Sequence, residues 1–135
     1  MPSYGPPITT ELAKKAASVA LAEARANNWT MAAAVVDPGG ILVYFERMDD
    51  TQNASSKIAI DKAVSAALFK RPTKTFQDSI ERGGIGLRVM TLRGAIPVEG
   101  GVPLVINGQI VGGLGVSGGT AEQDGQCAKA ATEAM

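Results

Sequence analysis

Two apolar segments in the first half of the chain constrain the fold more than any other feature. Residues 31–36 and 41–45 are apolar at consecutive positions, and the residues between them are Asp-Pro-Gly-Gly. A strand that is apolar at every position is covered on both faces, whereas a half-exposed strand alternates. These segments therefore predict an antiparallel hairpin in a sheet with helices on both sides, which is an α/β fold.

The remaining segments supply the helices and a second hairpin. Asn107-Gly108 between Leu104-Val105-Ile106 and Gln109-Ile110-Val111 is a strong hairpin signal. Thr120 and Gln123 have the spacing of a capping box at the start of a helix. Helical spacing of apolar residues predicts four helices, which run from Thr9 or Thr10 to about Asn28, from about Asn53 to Lys70, from Thr73 or Thr75 to Arg82, and from Thr120 to the end.

Two parts of the chain have no such pattern. Residues 1–7 contain three prolines and a glycine, so we expect them to form an extended segment outside the packed core. We divide the chain into an arm over 1–8 and a single domain over 9–135. Residues 86–98 show no clear periodicity, and the sequence leaves the structure of 76–98 open.

The glycine-rich residues 112–120 form the segment where we expect a ligand. They follow an apolar strand and precede a helix, and glycine lets a backbone approach a ligand closely. We therefore expect a loop in which Gly115, Ser117 and Gly118 contact the ligand, so that valine at Gly115 or Gly118 abolishes binding with a smaller loss of folding. The alternative is that these glycines serve only the packing of the strand against a helix.

A dinucleotide site is excluded, although Gly113, Gly115 and Gly118 have the G-x-G-x-x-G spacing. A dinucleotide-binding unit needs a second parallel strand and an acidic residue about 20 residues further on. Only one helix is predicted after Gly118.

The composition excludes several other classes of function. The chain has 13 basic and 13 acidic residues, no histidine and one cysteine. A net charge of zero argues against nucleic acid as a partner. Without histidine, we expect no Ser-His-Asp or Cys-His centre and no metal site. Cys127 lies at alanine-rich helical spacing and is predicted to be a small buried residue.

The sequence also lacks membrane and secretion signals. No apolar run approaches the roughly 18 residues of a membrane span, and the amino terminus has no charged segment followed by an apolar core. We therefore expect a cytoplasmic protein with no membrane partner.

Charged residues near these segments are the candidates for binding and catalysis. Arg47 and Asp49 follow the second apolar strand, where a ligand or merely solvent and a local ion pair would meet them. Lys62 lies on a partly apolar helix face, so its ammonium needs water, an acid or a ligand. Because histidine is absent, Lys62, Glu99 and Asp124 are the candidates for acid–base chemistry.

Taken together, these motifs resemble the GlcG/HbpS-type haem-binding or haem-degrading domains, which are related to the carboxy-terminal domain of PduO-type proteins. The resemblance covers nearly the whole chain. The residues that carry it are Arg47-Met48-Asp49, Lys62-Ala63 with Phe69 and Pro72-Thr73, Gly100 to Leu104, Gly112 to Gly118, and Glu122-Gln123-Asp124.

The resemblance implies a profilin-like three-layer α/β/α fold with a five-stranded antiparallel sheet. It also implies a homo-oligomer, a tetramer or octamer, and places Gly101 among the ligand-binding residues. Some similar proteins bind haem or corrinoid-related molecules, and others are associated with glycolate or aromatic catabolism. The chain departs from the haem-binding members because it has no histidine to ligate iron, so Met, Tyr, Cys, Thr or an outside molecule would have to do so.

Two functional hypotheses follow. In the first, a homo-oligomeric binding protein holds haem, another tetrapyrrole or a carboxylate-bearing metabolite with the glycine loop, Arg47, Lys62 and Glu99. In the second, an enzyme of small-acid or aromatic catabolism uses Lys62 or a carboxylate as its acid–base group, and loop amides stabilise an oxyanion.

Overall fold

A computed structural model describes residues 1–135 and contains four α-helices and five strands. None of the helices has the length and apolar composition of a membrane span. The helices are α1 (Thr10–Ala26), α2 (Ala54–Phe69), α3 (Thr73–Arg82) and α4 (Ala121–Glu133), with a 3₁₀ segment at Gly84–Thr91. The strands are β1 (Ser3–Tyr4), β2 (Ala32–Val36), β3 (Leu42–Arg47), β4 (Gly101–Ile106) and β5 (Gln109–Ser117).

Strand β5 is the centre of the sheet. It pairs antiparallel with β4 along one edge and with β2 along the other, and β2 pairs antiparallel with β3. The short strand β1 runs parallel to β5 at Gln109 and Ile110. The predicted fold with a five-stranded sheet is therefore confirmed, except that one strand pair is parallel.

Helices cover both faces of the sheet at β2, as its non-alternating apolar sequence predicts, whereas the residues of β3 are exposed or half-buried, so the same prediction is wrong for β3. Ala33 and Val35 of β2 belong to the larger core, together with the alanines of α1 and α4. Ala32, Ala34 and Val36 face the other way, against the alanines of α2. All five residues of β2 are buried because each face of the strand meets a helix.

The glycine-rich segment is mainly strand. Residues 112–117 belong to β5, so the prediction of a loop is wrong for them. A β-carbon on Gly115 would collide with the carbonyl oxygen of Ala59 in α2 and lie 2.6 Å from the amide nitrogen of Ala63. Glycine thus lets the helix backbone lie directly on the strand, a requirement that the sequence does not distinguish from that of a loop.

The amino-terminal arm packs on its own sheet. The Tyr4 hydroxyl donates to the carbonyl oxygen of Ala67 at 2.7 Å, and the Ile8 amide donates to the carbonyl of Val111 at 2.8 Å. Ile8 is buried in the larger core. Residues 1–7, which we expected to lie outside the core, are exposed or half-buried, so the arm enters the core only at its last residue.

Candidate functional site

Two of the three candidate catalytic residues form a buried ion pair. The Lys62 ammonium of α2 donates to Oδ2 of Asp124 in α4 at 2.9 Å and to the carbonyl oxygen of Val116 in β5 at 3.0 Å. The two side chains are 1% and 4% exposed. The pair therefore joins the two helix layers past the end of the sheet.

Local geometry at the start of α4 positions Asp124. The Thr120 side chain accepts from the Gln123 amide, and the Gln123 side chain accepts from the Thr120 amide, so the predicted capping box is confirmed. This cap fixes the first helical turn, and Oδ1 of Asp124 accepts from the Gly119 amide at 2.9 Å. Burial raises the pKa of Asp124, although the Lys62 ammonium acts in the opposite direction.

Glycines close the ion pair from outside. Gly100 has φ +129°, and a β-carbon there would lie 2.6 Å from the carbonyl oxygen of Val116 and 2.8 Å from Nζ of Lys62. At Gly101 a β-carbon would lie 2.7 Å from Cγ2 of Thr73, whose hydroxyl accepts from the Gly101 amide at 2.9 Å. The backbone at Gly100 and Gly101 thus covers the ion pair, and a ligand reaches Lys62 only if these two residues move.

Glu99, the third candidate, borders an open groove of about 730 Å³ on the outer side of this covering backbone. Its amide donates to Oε1 of Gln77 at 2.8 Å, and its carboxylate lies against Gly125 of α4. Burial raises the pKa of Glu99, and the nearby Lys74 ammonium lowers it. The groove is lined by Lys74, Gln77, Glu81, Glu99, Thr120 and Glu122. Three carboxylates beside a single lysine make it a poor host for an anion.

Arg47 and Asp49 lie in a separate hollow of about 340 Å³, which they share with Arg25, Glu46 and Met48. Both side chains are exposed, and neither forms an ion pair. The structure does not bring them into contact with Lys62 or Asp124, so the candidate residues form two groups.

The glycines and the serine predicted to bind a ligand are instead packed against other parts of the chain. Ser117 is 3% exposed and pairs across the sheet with Ala32, which in turn pairs with Arg47. Gly118 has φ +152°, and a β-carbon there would collide with the carbonyl oxygen of Thr30. These contacts, like those at Gly115 and Gly101, account for the small residues without a ligand.

Side chains that could ligate haem iron are mostly unavailable. Burial raises the pKa of Cys127 to about 12, so its thiol stays protonated. The Tyr44 hydroxyl donates to Glu46 at 2.9 Å, and the Met48 sulfur accepts from the Met31 amide. The exposed methionines Met1, Met90 and Met135 line neither the hollow nor the groove. Met48 in the hollow and Thr120 in the groove already accept hydrogen bonds from backbone amides, so neither place offers a free methionine, tyrosine, cysteine or threonine side chain for axial ligation. Arg47 instead fits recognition of a carboxylate.

Sequence reasoning missed three arginines, Arg71, Arg82 and Arg88, which converge on one pocket. Arg71 follows α2, Arg82 is the last residue of α3, and Arg88 belongs to the 3₁₀ segment. The sequence predicts no element for that segment, so their spacing carries no usable signal.

Comparison with known proteins places the chain in a family. The family model for the haem-degrading protein HbpS-like matches residues 8–133. The chain belongs to the HbpS-like family. It is 35% identical over 128 residues to an uncharacterized 15.0 kDa protein of Citrobacter freundii, with 93% of this chain and 90% of that protein covered. It is 41% identical over 95 residues to protein GlcG of Escherichia coli K12, covering 70% and 69%.

A solved structure of this family contains haem. The structure of the PduOC–haem complex has a TM-score of 0.84 to this chain and is 28% identical to it. The match covers 96% of this chain and 95% of that one. The likeness thus extends over the whole fold.

Proposed function

We propose that this protein binds a carboxylate-bearing small molecule, with haem or another tetrapyrrole as the first candidate. The observation that carries the proposal is the likeness to PduOC, which was solved as a complex with haem. Because the hollow and the groove offer no side chain suited to the iron, we propose that haem is held through its propionates. The exposed guanidinium of Arg47, which has no ion-pair partner, is the proposed contact.

Binding through the propionates predicts that the iron contributes little to the affinity for haem. Haem and metal-free protoporphyrin carry the same two propionates, so they should bind this protein with similar dissociation constants. A protein that ligates the iron would instead prefer haem. Absorbance titrations of both porphyrins at low micromolar protein measure the difference. A strong preference for haem would contradict binding through propionates, and no binding of either porphyrin would remove tetrapyrroles as ligands.

The contribution of Arg47 is tested with Arg47→Gln. A hydrogen bond to a charged group contributes about 1.5–3 kcal/mol, so both dissociation constants should rise about tenfold or more. The matched control is Arg93→Gln, which changes an exposed arginine outside the hollow and should leave both constants unchanged. Equal effects of the two substitutions would mean that Arg47 contributes only to the general charge of the surface.

A second candidate function is catalysis of a reaction in small-acid or aromatic catabolism. The half-buried Glu99 favours it, because a carboxyl group with a raised pKa at the wall of a groove is suited to acid–base chemistry. Lys62 is a weaker choice because Asp124 and Val116 already bind its ammonium. Because the other carboxylates of the groove disfavour anionic substrates, the screen should include neutral aromatic and hydroxylated compounds as well as small hydroxy and keto acids. Turnover should disappear in Glu99→Gln, and turnover kept by that variant would exclude Glu99 as the acid–base group.

We further propose that the protein forms a homo-oligomer, a tetramer or octamer, in the cytoplasm. Exposed apolar side chains support self-association, since Ile41 and Leu42 lie at the start of β3, whose outer edge has no partner strand. Sedimentation that shows only a 13.9 kDa species would contradict the oligomer.

A further inference from the structure

A concave pocket of about 310 Å³ lies between α3 and the 3₁₀ segment, away from Lys62, Glu99 and Arg47. Three arginines reach it: Arg71 after α2, Arg82 at the end of α3, and Arg88 of the 3₁₀ segment. Its apolar lining consists of Phe76, Ile85, Val89 and Leu92. The pocket therefore combines a cationic part with an apolar wall.

The positive charge of this pocket is not balanced within the chain. No carboxylate lines it, and none of the three guanidinium groups belongs to an ion pair. The Arg71 Nε donates to the carbonyl oxygen of Phe69 at 2.8 Å, and Arg82 donates to the Ser79 hydroxyl at 3.2 Å. Arg88 makes no side-chain hydrogen bond, so most of the donors remain free for an anion.

The packing around the pocket holds its wall in place. The buried Phe76 ring meets the Phe69 ring edge-on, with centroids 5.2 Å apart, and the Arg71 guanidinium lies 5.8 Å from the Phe76 centroid. A β-carbon on Gly86 would collide with the carbonyl oxygen of Ser79, so only glycine lets the 3₁₀ segment approach α3 this closely. The apolar wall and the Arg71 guanidinium beside it are thus held in place.

We propose that this pocket binds a small organic dianion, an apolar body of a few carbons that carries two carboxylates. The planar guanidinium fork matches a carboxylate, and three such groups around one concavity favour two negative charges over one. The volume lies at the lower end of the range for small-molecule sites, which suits a compact acid. The apolar wall offers the carbon body a surface that an inorganic anion does not use.

The test is a calorimetric titration of the full chain with phthalate, with its neutral diamide and with inorganic phosphate. Phthalate should bind with one site per chain, and its affinity should fall as salt is added. The neutral diamide should bind at least tenfold more weakly, and so should phosphate. If phosphate bound as tightly as phthalate, the pocket would be a site for inorganic anions and the proposal of an organic dianion would be wrong. If phthalate did not bind at millimolar concentration, the pocket would not be an anion site.

Substitutions locate the binding. Arg82→Gln and Arg88→Gln should each weaken phthalate about tenfold or more, and Arg88→Lys should recover only part of the affinity because it keeps the charge without the fork. Arg93→Gln, an exposed arginine just beyond the 3₁₀ segment, should bind phthalate like the parent. Because Arg82 and Arg88 are exposed, these variants should keep the parent melting temperature. An equal loss of phthalate affinity in Arg93→Gln would show that phthalate is attracted by the general surface charge, and it would contradict binding in the pocket.

Discussion

Replacing Lys62 by methionine tests whether the buried ion pair fixes α2 to α4. Methionine resembles the lysine stem but has no ammonium, so the Asp124 carboxylate would keep only backbone amides, those of Gly119 and Gly118, as hydrogen-bond partners. Removing one partner of a buried ion pair costs about 3–5 kcal/mol. For a domain of 135 residues, each kcal/mol lowers the melting temperature by about 3–5 °C. We therefore expect Lys62→Met to melt about 10–25 °C below the parent at pH 7.

The stability that Lys62→Met loses relative to the parent should depend on pH. Burial raises the pKa of Asp124 and the Lys62 ammonium opposes that rise, so removing the ammonium leaves a folded-state pKa still further above the unfolded one. A raised folded-state pKa gives a contribution to stability that is present below the unfolded pKa and is lost as the pH rises through the folded pKa. The difference in free energy of unfolding between the parent and Lys62→Met should therefore become smaller as the pH falls from 7 towards 4.

Urea unfolding at pH 7, 5.5 and 4.5, followed by circular dichroism, measures this effect. The matched control is Lys57→Met on the same helix, whose exposed side chain has no ion pair and should change stability by less than about 0.5 kcal/mol. Adding Asp124→Asn to Lys62→Met should recover part of the loss, because no buried charge is then left unpaired. A loss below about 1 kcal/mol at pH 7, or an equal loss at all three pH values, would refute the role of the charge.

Three further predictions concern single positions. Gly115→Val should destabilise the fold by about 3 kcal/mol or more, because the valine side chain would collide with the α2 backbone. This reverses the sequence-based expectation that binding is lost with a smaller loss of folding. Denaturant midpoints of the variant and the parent measure the change in stability. Glu99→Gln should gain stability relative to the parent as the pH rises from 4 to 7, since burial raises the pKa of Glu99 and its ionisation opposes folding in that window; a pH-independent difference would contradict this. Cys127→Ser should cost about 1–2 kcal/mol through a buried hydroxyl, and the buried thiol of the parent should resist iodoacetamide until urea unfolds the chain; rapid labelling of folded protein would show that Cys127 is accessible.

Local patterns in the sequence predicted most of the helices and two of the strand pairs. The apolar residues of β2 and β3 predicted their antiparallel hairpin, and Asn107-Gly108 predicted the turn between β4 and β5. Thr120 and Gln123 predicted the start of α4. These features depend on backbone preferences and side-chain periodicity over a few residues, so they are visible without knowledge of the partners.

Tertiary structure decided how the candidate residues are used. Lys62 and Asp124 were both identified from the sequence, but only packing shows that they neutralise each other across 62 positions of the chain. The glycines of β5 fit either a loop or a strand beneath a helix, and only the position of α2 shows that a strand is formed. The arginine pocket depends on how a 3₁₀ segment without sequence periodicity folds against α3. In each case the deciding contact joins residues that are distant in sequence or lie in a segment without a local pattern.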